Sequence, residues 1–212
     1  MMHPWPVTLR TALAFCTLVA AAAIVVGCDA DAADPVEPPH SIHQPWQAEP
    51  FSVDQGDLAR ALAACRDVGL EAFQSQTTQS LVAVDARGGS RLFLVSADRK
   101  TESDCFVDID PFGRTTPDGA GSTSGLPFQQ LNPGAIEMVS SSSGSSDANT
   151  MSQAVGRAGP GVARVVVTLA NGRQVVASLS QSGWWAGWWP GATSATKMTA
   201  YDSSGAVTGT AP

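Results

Sequence analysis

From Gln44 to the C-terminus the chain contains no histidine; its three histidines stand at positions 3, 40 and 43. That absence removes the usual general base of serine and cysteine nucleophile systems and the commonest zinc ligand. Positive charge is also scarce. Twelve Lys and Arg face 19 Asp and Glu, for a net charge of −7, and no basic run exceeds Arg99-Lys100. Binding to a phosphate backbone needs clustered cations, so no nucleic-acid partner is expected. Cysteine is limited to positions 16, 28, 65 and 105. Long apolar runs are absent but for one, the uncharged 17 residues 11–27.

That run carries the most information. It follows Arg10 and precedes Asp29, Asp31, Asp34 and Glu37, an asymmetry that orients the N-terminus inward. Seventeen residues is short for a spanning helix, which needs about 20, and fits a signal-peptide core. The run ends Val25-Val26-Gly27-Cys28, which resembles the bacterial lipobox. The resemblance implies a signal peptide over residues 1–27 and a diacylglycerol thioether on Cys28, the new N-terminus. An uncleaved anchor and ordinary cleavage are the alternatives. Residues 28–50 hold five of the 14 prolines and read as a Pro-rich tether, leaving residues 51–212 as the extracytoplasmic domain. A sub-boundary within it, if there is one, falls at 133–150.

Outside the membrane Cys65 and Cys105 remain. An exported pair is a disulfide candidate, whereas a metal site needs two further ligands. Two buried free thiols are the plainer reading.

The expected fold is mainly β (α+β): antiparallel hairpins and meanders with one N-terminal helix and one disulfide. Asp54 caps the helix, Val53 and Leu58 form a hydrophobic staple, and Leu58, Ala61, Leu62 and Cys65 share one face up to Gly69. Residues 81–85 and 92–96 flank Gly88-Gly89 as a hairpin, and residues 105–109 follow as a third strand. Residues 113–134, rich in Gly, Pro, Ser and Thr, are expected as a long surface loop, 135–139 as a strand and 140–146 as a flexible connection. Residues 162–169 and 174–179 flank Asn171-Gly172, expected as a type I′ turn. The Trp-rich segment 183–189 and a last hairpin around residues 202–205 are expected to complete a meander.

Candidate chemistry is thin. Asp104, Asp108 and Asp110 alternate near a strand end; two such acids can hydrolyse glycosides, but acids beside Pro111 are more often solvated turn residues. The same spacing lacks the glycine and terminal Glu of a calcium loop. Ser142, Ser143 and Ser145 have no partner base, and Gly156 to Gly161 is no phosphate loop, since Pro160 has no N–H. No catalytic residue, metal ligand or cofactor is assigned.

Trp184, Trp185, Trp188 and Trp189 are the unusual feature. Strand alternation puts Trp184 and Trp188 on one face and Trp185 and Trp189 on the other. One pair is expected in the core, and the other partly accessible as a binding surface for sugar rings or a partner protein.

Residues 157–175, R-x-G-P-x-V-x-x-V-x-V-x-L-x-x-G-x-x-V, and Ala186 to Gly191, A-G-W-W-P-G, resemble the tail of exported actinobacterial proteins of uncharacterised function. The earlier D-A-R-G-G-S-R-L-F-L-V-S-A-D resembles their preceding portion; the resemblance implies an extracytoplasmic domain and assigns no catalytic residue. The expected function is therefore a lipid-anchored binding or interaction module on the outer face, with a cell-wall or protein partner. The alternative is a sensory or regulatory domain serving a membrane partner. A histidine-independent hydrolase ranks third.

Overall fold

The computed structural model describes residues 43–98, 100–124, 127–146 and 149–212. The expected signal peptide, the expected lipidation at Cys28 and most of the expected tether lie outside these residues. Helix α1 spans Gln55–Asp67 and begins where the Asp54 carboxylate accepts from the backbone N–H of Gly56 (2.7 Å) and Asp57 (3.3 Å). Its apolar face, Leu58, Ala61, Leu62, Ala64 and Cys65, is buried. Gly69 takes a positive φ of 78° just past its end. A short helix α2 follows at Glu71–Gln74.

Among the described residues twelve strands succeed it. β1 (Ala83–Ala86), β2 (Arg91–Ala97), β3 (Thr101–Ile109) and β4 (Thr115–Ser124) form a first antiparallel sheet in the order β1-β2-β3-β4. β5 (Ile136–Ser146), β6 (Asn149–Ala158), β9 (Ser178–Leu179) and β10 (Trp184–Pro190) form a second, ordered β5-β6-β10-β9. β7 (Arg164–Leu169), β8 (Gln174–Val176), β11 (Ala195–Tyr201) and β12 (Val207–Ala211) form a third, ordered β12-β11-β7-β8.

The layers follow from side-chain alternation. On β3, Cys105, Val107 and Ile109 turn toward α1, and Cys65 bonds Cys105 across a Cα separation of 6.0 Å. Phe106, on the opposite face, packs with Phe93, Val95, Val155, Trp184, Ala186 and Trp188 between the first and second sheets. Trp185 and Trp189 turn the other way, against Val165, Val167, Leu169, Val175, Met198 and Ala200 of the third sheet. The second sheet is thus the middle layer, and β10 is one of its two inner strands.

Several expectations are corrected. Residues 115–124 are a strand, not a loop: β4 is an edge strand, where Pro117 needs no ladder donor, and its pairing with β3 overrides its weak propensity. Ser140 to Ser146 continue β5 instead of forming a connection, because β6, which local pattern did not reveal, pairs along their whole length. The C-terminal meander is broken. β10 leaves it to join β6 and β9 in the second sheet, while β11 pairs with β7 in the third. Residues 174–179 divide at Ala177, β8 pairing with β7 and β9 with β10, so one segment serves two sheets.

At Asn171-Gly172 only the glycine has positive φ (81°); Gly172 N–H donates to Leu169 and Leu169 N–H to Arg173. That is a type I turn with a glycine bulge, not a type I′ turn. The same pair of bonds closes the turns at Asp110–Arg114, Ser180–Trp184 and Asp202–Ala206, each with glycine in the fourth place.

The tether boundary also moves. Gln44 accepts from Gly89 N–H (2.7 Å), Gln47 N–H donates to Arg87 (2.8 Å), and Ala48 accepts from Val176 N–H (3.0 Å). Residues 44–48 therefore lie along the β1–β2 turn as part of the fold. Gly88 permits this approach, since a Cβ there would stand 2.4 Å from the Gln44 carbonyl oxygen.

Candidate functional site

The four tryptophans are all buried, at 7, 0, 4 and 1 % exposure for Trp184, Trp185, Trp188 and Trp189. The expected accessible pair does not exist, because the middle layer is covered on both faces. Alternation itself holds: Trp184 and Trp188 share one core and Trp185 and Trp189 the other. Gly156, opposite Trp185 in the ladder, makes room for that indole, as a Cβ would lie 2.3 Å from its ring.

What is open is a groove of about 760 Å³ beside Trp188. It forms where the start of β2, the end of β3, the start of β6 and the docked segment around Trp46 converge. Trp46 and Trp188 meet edge to face, 6.3 Å between centroids, on its apolar side. Arg173 stacks on Trp46 at 4.9 Å. Ser90, Thr116 and Thr150 bring hydroxyls, and His43 Nδ1 lies 3.0 Å from the Ser90 hydroxyl.

The two arginines that line the groove, Arg91 and Arg114, are each paired with a carboxylate. Arg91 grips Asp108 with two bonds (2.6 and 2.8 Å) and reaches Asp118 at 2.5 Å. Burial works against the Arg91 charge, but these carboxylates outweigh it and hold its pKa above the ordinary value. Arg114 bonds Asp110 at 2.6 Å. Asp110 is held below the usual carboxylate range, first by the backbone N–H of Arg114 and then by its side chain.

These bonds separate the three acids singled out from sequence. Asp108 belongs to Arg91 and Asp110 to the β3–β4 turn, while Asp104 is buried between the first and second sheets, where Gln153 Nε2 donates to it at 2.9 Å. Glu102 lies two residues back on the same face, fully buried, and accepts from Ser140 Oγ at 2.9 Å. Burial, reinforced by the Asp104 charge, pushes Glu102 up to about 7. Burial also raises Asp104, against the pull of Gln153 and the Gly121 N–H.

A second buried constellation joins the layers. Asp85 and Arg87 are 2.6 Å apart with no exposure. Arg87 donates to the Ala48 carbonyl at 2.6 Å and to that of Val176, while Asp85 accepts from Ser178 Oγ at 2.5 Å and from Trp188 N–H at 3.2 Å. Burial pushes the Asp85 carboxyl up, and Arg87 pulls it back.

Sequence reading passed over Asp85, Arg87, Glu102 and Gln153. The signal for the first two was present, since i and i+2 on a strand share a face and opposite charges there can pair. Nothing local marks Glu102 or Gln153, whose burial is set by a sheet that the chain builds later. Among the described residues no three His, Cys, Asp or Glu are grouped to hold a metal, and no helix is long and apolar enough to cross a membrane. No protein-family model matches the chain, and no curated protein or solved structure matches it significantly.

Proposed function

We propose that this chain is a lipid-anchored binding module at the outer face of a cell membrane, attached through Cys28, and that its groove takes an uncharged, hydroxyl-rich ligand such as a surface glycan. The location rests on the apolar run, the Val25-Val26-Gly27-Cys28 ending and the acidic residues after it. The Cys65–Cys105 disulfide suits an oxidising compartment.

One observation carries the ligand class: the two guanidinium groups lining the groove are already paired with neighbouring carboxylates. Arg91 is held by Asp108 and Asp118, and Arg114 by Asp110. A phosphate or carboxylate ligand would have to displace these partners, and a cationic one would compete with two arginines. A neutral polyol instead finds hydroxyls at Ser90, Thr116 and Thr150, carboxylate acceptors at Asp108 and Asp110, and an apolar wall at Trp46 and Trp188. The cell-wall partner expected from sequence fits this chemistry.

Equilibrium binding of neutral and of anionic oligosaccharides to the full chain tests the reading. Neutral ones are expected to bind in preference, and Thr116→Val with Thr150→Val to weaken them about tenfold, the loss of roughly 1.4 kcal/mol of hydrogen bonding. Both threonines are exposed, so the fold should be unaffected. Preferential binding of anionic saccharides, or indifference to both substitutions, contradicts it.

A further inference from the structure

Between the first and second sheets, two carboxylates and an amide share a region without a paired positive charge among the described residues. Glu102 is fully buried, Asp104 is 6 % exposed and Gln153 is 7 % exposed. Among the described residues no Lys or Arg forms an ion pair with either acid: Arg91 is committed to Asp108 and Asp118, and Arg157 to Glu137 at 3.1 Å. A buried carboxylate with no cation is among the costliest arrangements a protein can hold.

The hydrogen bonds present do not complete the site. Asp104 accepts from Gln153 Nε2 and from the Gly121 N–H, and one oxygen of Glu102 accepts from Ser140. Two buried oxygens, Glu102 Oε1 and Gln153 Oε1, meet no protein donor. The Gln153 amide is fixed against Asp104 by its nitrogen, so its free oxygen is held in the same neighbourhood. Both oxygens are acceptors, as are the carboxylates beside them. A cation bound among them would answer all of these at once.

A surface slot lies beside Gln153. It measures about 190 Å³ and opens between β4 and the β5–β6 pair, lined also by Ser142, Asp118 and Met151. Gly119 is at its wall, and Gly121 faces Asp104, where a Cβ would stand 3.3 Å from Oδ1. Glycine at 121 lets the β4 backbone lie directly against the carboxylate.

We propose that Glu102, Asp104 and the Gln153 carbonyl oxygen form a site for a hard cation, calcium in an extracytoplasmic setting, binding between the first two sheets. The donor set is oxygen only, with no nitrogen or sulfur ligand, which suits Ca²⁺ and disfavours zinc or copper. Two carboxylates and one amide oxygen leave several positions to water, so a weak extracellular-type affinity is expected, on the order of 0.1–1 mM. The sequence pattern Asp104, Asp108, Asp110 had offered a different calcium reading; only Asp104 belongs to this site. The inference does not depend on the groove or on its ligand.

The test uses the full chain in detergent with its disulfide intact, stripped with EDTA and titrated with CaCl₂ at constant ionic strength. One ion is expected to bind per chain, and 5 mM Ca²⁺ to raise the melting temperature by about 4 °C. Glu102→Gln and Gln153→Met should each raise the dissociation constant more than tenfold while keeping the far-UV spectrum and the disulfide. Gln153→Met guards the test, since it removes the carbonyl oxygen and leaves both carboxylates in place. Asp57→Asn, on the helix, should bind as the parent does. The proposal is overturned by no saturable uptake up to 10 mM, by uptake unchanged in both variants, or by the same stabilisation from NaCl of equal ionic strength. A melting temperature that responds to lowering the pH from 8 to 6 but not to Ca²⁺ also overturns it, since a proton alone would then complete the site.

Discussion

Asp85 and Arg87, two positions apart on the β1–β2 hairpin, form a fully buried ion pair at 2.6 Å whose remaining bonds go to other layers of the molecule. Arg87 holds the docked segment at Ala48 and the β8–β9 divide at Val176, and Asp85 holds Ser178 and the backbone of Trp188. The pair therefore ties the first sheet to the second and to the chain entering the domain.

Removing one partner strands the other. Arg87→Met leaves a buried carboxylate without its cation and should cost about 3–5 kcal/mol in chemical denaturation. Asp85→Asn with Arg87→Met should cost less than the sum of the two single changes, since the double variant buries no charge. Additive losses would show that the pair is not a unit.

The disulfide closes a span of 40 residues between α1 and β3. In the loop-entropy account such a closure stabilises by about 4 kcal/mol. Cys65→Ala with Cys105→Ala, or reduction, is expected to lower the melting temperature markedly. Thiol labelling of the oxidised protein should find neither cysteine reactive.

All four tryptophans of β10 should behave alike. Each Trp→Ala substitution is expected to cost about 3–5 kcal/mol, read from denaturation midpoints, since each indole is buried in one of the two inter-sheet cores. A variant at Trp184 or Trp188 that melts as the parent does would contradict the packing of the first sheet over that face.

The turn aspartates should titrate low. Ser204 and the backbone N–H of Ala206 hold Asp202 below the usual carboxylate value, and the N–H groups of Lys100 and Thr101 do the same for Asp98. Depressed folded-state values mean that the contribution is full above the ordinary 3.8 and is lost as pH falls through the lowered values. Carboxyl chemical shifts followed from pH 6 to pH 2 should give midpoints below 3.8 for both.

How much of this was legible in the chain follows from how local each feature is. Helix α1 was, because its cap, staple and apolar face lie within 16 residues, Val53 to Val68. The β1–β2 hairpin and the disulfide partner strand were readable for the same reason. β4, the outer half of β5 and β6 were not: their Ser, Gly and Thr residues carry little strand signal, and pairing with neighbours holds them in place. The tryptophan segment was read correctly in its alternation and wrongly in its exposure, since alternation sets which faces exist and a distant sheet decides what covers them. Glu102 and Gln153 were invisible for that reason too, being polar residues whose burial depends on strands about 40 to 50 positions apart.

Lipidation at Cys28 is the claim on which the proposed location stands, and intact mass of the protein recovered from membranes tests it most directly. The account predicts a chain beginning at Cys28 that carries a diacylglycerol-sized addition, and a Cys28→Ser variant that loses both the addition and its partitioning into detergent. A Cys28→Ser protein with unchanged mass class and unchanged membrane association would contradict it.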